Sequence, residues 1–186
     1  MNKITGICLA GIAAALLCGA AAAKEHLNGF MGHYGYFVSY PVALEPAADF
    51  KGPVETVDFL PKGVCDNGKQ AACANAGWVS LLVMPKWYIA KENGYRSLAP
   101  YMAAVLADSK NNGEAPTMTQ THVGKFTAYK IVLKSPKTPF NEMLYLSGEK
   151  VYYRFAYVRG TKYINALVKG LQEVQPSDTP PLGWDK

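Results

Sequence analysis

The chain has 186 residues, 49% of them hydrophobic, with 19 Lys and Arg against 14 Asp and Glu and a formal charge of +5. A chain of this length makes one ordinary domain, with a core that removes about two-thirds of its unfolded surface from water. The cationic excess is modest, and the lysines between Lys110 and Lys169 are interspersed with apolar residues rather than gathered on one element, which excludes a nucleic-acid binder held by a basic stripe.

In chain order, Met1, Asn2 and Lys3 precede an apolar run from Ile4 to Leu17, then small residues from Cys18 to Ala23 before Lys24 and Glu25. That order predicts a secretory signal peptide over residues 1–23, with Ala21 and Ala23 at the positions read by the peptidase. The remaining 163 residues are then periplasmic or secreted, with 18 basic against 14 acidic side chains and no stable membrane insertion after cleavage. Two alternatives use the same residues. An uncleaved segment is near the length that spans a bilayer. A lipid anchor at Cys18 would follow an apolar run, but Leu17 stands where such a signal has a small residue.

Residues 24–35, with Gly29, Gly32 and Gly35 among aromatics, read as an irregular lead-in. Tyr36 to Tyr40 reads as a strand stopped by Pro41, which has no N–H for a ladder. Pro41 to Pro53 reads as a loop with a helical turn near Pro46 to Phe50. Val54 to Leu60 alternates, with Val57 and Phe59 on one face and Thr56 and Asp58 on the other, the period of a half-buried strand. Cys65 and Cys73 sit in one polar loop, CDNGKQAAC, and in an oxidising compartment should pair. The bridge would stabilise the fold by roughly 2 to 3 kcal/mol on the chain-entropy account. A redox pair would be spaced C-x-x-C, and a zinc site would need further ligands nearby. Trp78 to Met84 is continuously apolar up to Pro85, as a strand covered on both faces is, and pairs with the preceding strand as a long-looped hairpin.

Lys86 to Glu92 predicts a short helix stopped at Asn93 and Gly94. Ser97 caps a longer one to about Ser109, whose Leu98, Tyr101, Met102, Val105 and Leu106 share a stripe. Pro100 is tolerated there because the first turn has no internal N–H bond to lose. After turn residues from Asn111 to Pro116, strands follow over Thr117 to Val123, Lys125 to Leu133, Asn141 to Leu146 and Val151 to Val158. In the last of them Val151, Tyr153, Phe155 and Tyr157 face one way, and Tyr152, Arg154 and Ala156 the other. Ile164, Leu167, Val168 and Leu171 stripe a closing helix, and Pro176 to Lys186 reads as a disordered tail. Residues 36–175 are therefore expected to form a single α+β domain, an antiparallel sheet of about six strands flanked by helices as an α/β/α sandwich.

Chemistry is sparse in the sequence. His26 and His33 lie in the lead-in without Cys or Glu at ligand spacing, so no metal is expected, and no cofactor motif occurs. The glycines around Gly29 to Gly35 lack the lysine of a phosphate-binding loop. His122, in a strand, is the candidate general base of a small secreted hydrolase with a non-contiguous site, although no G-x-S-x-G or unpaired Cys supplies a nucleophile. The aromatics are the other candidates: Tyr34, Tyr36 and Tyr152, with Arg154 beside them, as a face for a protein or small ligand. Between these the patterned core favours a non-enzymatic binding or assembly module.

The segments FVSYP, SLAPYMAAVLADS, GKFTAYKIVLK, EMLYLSGEKVYYRFAYV and YINALVKGLQEVQ, taken in order, resemble the PsbP-like superfamily, which includes extrinsic photosystem subunits, a Ran-binding import factor and exported bacterial proteins. The resemblance spans Tyr36 to Gln175 and implies an α+β sandwich and a role in binding or assembly rather than catalysis. It carries over no catalytic residue. The chain departs from the family at PVALEP and in the cysteine loop.

Overall fold

The computed structural model describes residues 26–65 and 70–177; the predicted signal peptide and residues 178–186 of the predicted tail lie outside the described residues. A seven-stranded antiparallel sheet is formed by β3 (Leu44–Lys51), β4 (Val54–Pro61), β5 (Val79–Pro85), β6 (Pro116–Val123), β7 (Phe126–Leu133), β8 (Glu142–Ser147) and β9 (Val151–Tyr157). Its spatial order is β3-β4-β5-β9-β8-β7-β6, so the continuously apolar β5 lies inside the sheet between β4 and β9. A three-stranded sheet, order β1-β2-β10, joins β1 (Leu27–Met31), β2 (Tyr36–Pro41) and β10 (Leu171–Glu173). The helices are α1 (Gln70–Ala76), α2 (Lys86–Asn93), α3 (Leu98–Asn111) and α4 (Ile164–Gly170).

Period-2 alternation divides the core in two. On one face Val57 and Phe59 of β4, Leu81 of β5 and Tyr153 and Phe155 of β9 pack against Tyr36 and Val38 of β2 and Leu167 of α4. On the other, Met84, Ile131, Tyr145 and Tyr152 receive Ile89 of α2 and Leu98 and Met102 of α3. The sheet is thus an α+β layer flanked by helices, as the pattern predicts. Phe59 and Phe155 are fully buried, each contributing about 1.5 to 3 kcal/mol by leaving water. Gly94 ends α2 with φ +76°, the left-handed conformation that glycine adopts without penalty. Ser97 occupies the start of α3 in extended backbone, but its hydroxyl makes no capping bond.

Four expectations are corrected. The lead-in contains β1, which pairs with β2 from Leu27 opposite Pro41 to Met31 opposite Phe37, so the strand from Tyr36 runs through Pro41 as its last rung. The segment read as a loop with a helical turn is β3, paired along its length with β4. Pro46 is compatible with this because β3 is an edge strand, where an N–H can be lost. Cys73 lies in α1 rather than in a polar loop. Leu171 leaves the closing helix to pair with Val38 at the free edge of β2, since the backbone groups of that edge need partners.

Candidate functional site

β9 and α4 are joined by residues 158–163, and α4 itself is seven residues long, so it shields only part of the sheet face beneath it. Between α4 and the β6 side of the sheet lies a groove of about 600 Å³, with Thr121 and Val123 on one wall, Ile164, Asn165 and Val168 on the other and Leu144 and Tyr157 in its lining. Beside it, sharing Val123, Val168 and Lys169, lies a second concavity of about 400 Å³ lined by Lys125, Phe126, Leu171 and Glu173.

Strand register puts the ions here. Lys130 alternates in phase with Phe126 and Ala128, and Glu142 with Leu144 and Leu146, so both side chains reach the α4 side of the sheet. Glu142 is buried, and its carboxylate accepts from Lys130 Nζ at 2.8 Å and from Arg159 Nε at 2.9 Å. Burial, and then the neighbouring Glu142 charge, push the Tyr157 phenol well above its usual range. The Arg159 backbone N–H is held in turn by Asn141 Oδ1 at 2.7 Å. Farther along, Glu173 pairs with Lys125 at 3.1 Å and accepts from the Glu149 backbone N–H at 2.7 Å and from Tyr153. Both acids of the groove are therefore engaged. Lys162 and Lys169 are exposed and have no ion-pair partner among the described residues, Lys162 lying over the Tyr163 ring at 4.9 Å.

A second polar cluster is buried except at His33, whose side chain is 53% exposed. Glu55 of β4 is fully buried where the two sheets meet, and its Oε1 lies 3.5 Å from both the backbone N and Nδ1 of His33. Burial raises the Glu55 carboxyl above its usual range, and the contacts with His33 oppose that shift. The Tyr34 hydroxyl donates to the Pro53 carbonyl, and burial together with Glu55 pushes the Tyr34 and Tyr36 phenols up.

Tyr34, Tyr36 and Tyr152, candidate binding residues by sequence, are all buried in the core and present no face to a ligand. Arg154 is half-buried on the α3 side; its charge reaches the Tyr145 and Tyr101 phenols, and its Nε has no hydrogen-bond partner among the described residues. His122 is exposed on β6 opposite Thr127, and alternation turns it to the other side of the sheet from Thr121 and Val123, so it is not brought to the groove. Cys65 and Cys73 stand at disulfide distance with Cα atoms 5.0 Å apart. His26 lies beside Val42, Lys162 and Tyr163, apart from His33. No group of three or more His, Cys, Asp or Glu side chains could hold a metal among the described residues.

Lys130, Glu142 and Arg159 were not singled out in the sequence. The available signal was a lone Lys inside the apolar run FTAYKIVL and a lone Glu opening EMLYLS, in phase with the buried residues of their strands. The chain matches no protein-family model and no curated protein sequence.

Proposed function

We propose that the protein is exported by its N-terminal segment and acts as a non-enzymatic binding module whose ligand lies in the groove between α4 and β6. One observation carries this reading. The acids of the groove are committed to ion pairs, so what remains for a ligand is an apolar stretch along Val123, Leu144, Ile164 and Val168, of a size that suits a small molecule, and a rim of solvated ammonium groups. Chemistry would need a free nucleophile beside a base, and in the larger concavity Lys130 and Tyr157 are both engaged by the Glu142 carboxylate. Export is supported by the leader pattern and by the cysteine pair, which suits an oxidising compartment. The resemblance to the PsbP-like superfamily points the same way.

The test uses N-phenyl-1-naphthylamine, an uncharged apolar dye whose fluorescence rises in a dry site, with protein spanning residues 24–186. Asn165 is exposed on α4 and lines the groove, so Asn165→Trp fills the site without entering the core. Saturable dye binding weakened at least tenfold in Asn165→Trp is expected. Equal binding by the two proteins would refute the assignment of the groove.

A further inference from the structure

We infer that the groove takes a single-chain amphiphile with one anionic head of the carboxylate or phosphate class, held as a free monomer. The inference rests on the groove reading above and adds the chemistry of the occupant.

Charge selects the head. The two adjacent concavities are lined by Lys125, Lys130, Lys162 and Lys169 against Glu142 and Glu173. The acids take Lys130 and Lys125 as partners, which leaves Lys162 and Lys169 uncompensated on the α4 side, with Arg159 adding a further cation at Glu142. An anion entering here meets net positive charge beside low-dielectric walls, where the attraction exceeds that in open water. Ammonium groups act as point charges without the planar fork of arginine, so they accept carboxylate or phosphate alike. A cationic head would face these same lysines with no free acid to receive it.

The lining selects the tail. Val123, Leu144, Ile164 and Val168 line the first stretch, and Phe126 and Leu171 extend it in the second. A peptide laid along these side chains would bring amide groups that must give up water, at a cost unless each finds a partner. An alkyl chain brings none and gains with each methylene it buries. The lining is recessed between a helix and a sheet, so a tail reaches it only after leaving a bilayer, which favours a monomer as the source.

The test is displacement of the bound dye, below micellar concentrations, by dodecanoate, dodecyl phosphate, dodecanol and dodecyltrimethylammonium. The two anions should compete at least tenfold better than the alcohol and the cation. Lys162→Glu/Lys169→Glu should abolish that preference, read as the ratio of dodecanoate to dodecanol affinity measured directly by calorimetry, and both side chains are exposed, so the fold is spared. If the alcohol or the cation competes as well as dodecanoate, or the double variant keeps the preference for anions, the chemical class is wrong while the groove stands. If the dye itself ignores Asn165→Trp, the groove reading fails first. Cosedimentation with phosphatidylglycerol vesicles that is unaffected by Asn165→Trp would overturn the monomer as source.

Discussion

Replacing Glu142 by Gln tests whether the ion cluster at the groove stabilises the fold or merely occupies it. The Glu142 side chain is 4% exposed, while its partners Lys130 and Arg159 are 41% and 71% exposed. A hydrogen bond to a charged group is worth about 1.5 to 3 kcal/mol, but partners this exposed are screened and regain water when the carboxylate is removed. Taking about 1.5 kcal/mol for Lys130 and about 0.5 for Arg159 gives a loss of roughly 2 kcal/mol, part of which the amide oxygen of Gln could retain. For a chain of this size that lowers the Tm by about 4 to 8 °C. Thermal unfolding followed by circular dichroism at neutral pH measures it, and a double-mutant cycle with Lys130→Met should show coupling of about 1 kcal/mol. The same substitution removes a negative charge from the groove, so dodecanoate should bind more tightly as the fold becomes weaker. A variant that melts within 1 °C of the parent, with coupling under about 0.3 kcal/mol, would mean that desolvation of the carboxylate cancels its pairs, and the reasoning fails.

Two further outcomes are expected. Glu55 has its folded-state carboxyl raised above the usual value of 4.5, so its contribution is fully present below that value and is lost as pH rises through the folded-state value. Glu55→Gln carries no such titration and should gain on the parent in urea unfolding as pH is raised from about 4 to 8; a stability difference that stays flat across that range would contradict the assigned burial. Cys65 and Cys73 are eight residues apart, a loop whose closure is worth about 2.5 kcal/mol on the chain-entropy account. Cys65→Ser/Cys73→Ser, or reduction of the parent, should therefore lower the Tm by about 5 to 10 °C. No change on reduction would show that the bridge leaves folding stability untouched.

Legibility in the sequence followed locality. The late strands and α3 could be read because their alternations and stripes are long and uninterrupted, and β9 places Tyr153 and Phe155 opposite in facing to Tyr152 and Ala156 as its period requires. β3 could not, because Pro46, Ala47 and Ala48 carry no β signal of their own; the segment is a strand because β4 offers it a complete partner edge. β1 and β10 are short and depend on β2 in the same way. The site was less legible than the fold. Tyrosines that suggested a surface are core, since a phenol such as Tyr34 can satisfy its hydroxyl inside on the Pro53 carbonyl. Lys130 and Glu142 are local exceptions to apolar strands, and only the pairing of β7 with β8 and of β8 with β9 brings them and Arg159 together.

The groove follows from what fixes α4. A Cβ on Gly170 would come within 2.3 Å of the Ser39 carbonyl oxygen, so the end of the helix lies directly on the backbone of β2. The chain then commits Leu171 to Glu173 to the edge of that strand. α4 is thus held both by Leu167, buried in the core, and by main-chain contact with the small sheet, and the β6 side of the face is left open beside it. Side-chain repacking along Val123, Leu144 and Val168 cannot draw the helix inward without breaking those rungs. The width of the groove is thus set in part by backbone, so on the proposed reading a ligand would meet a site that is already organised.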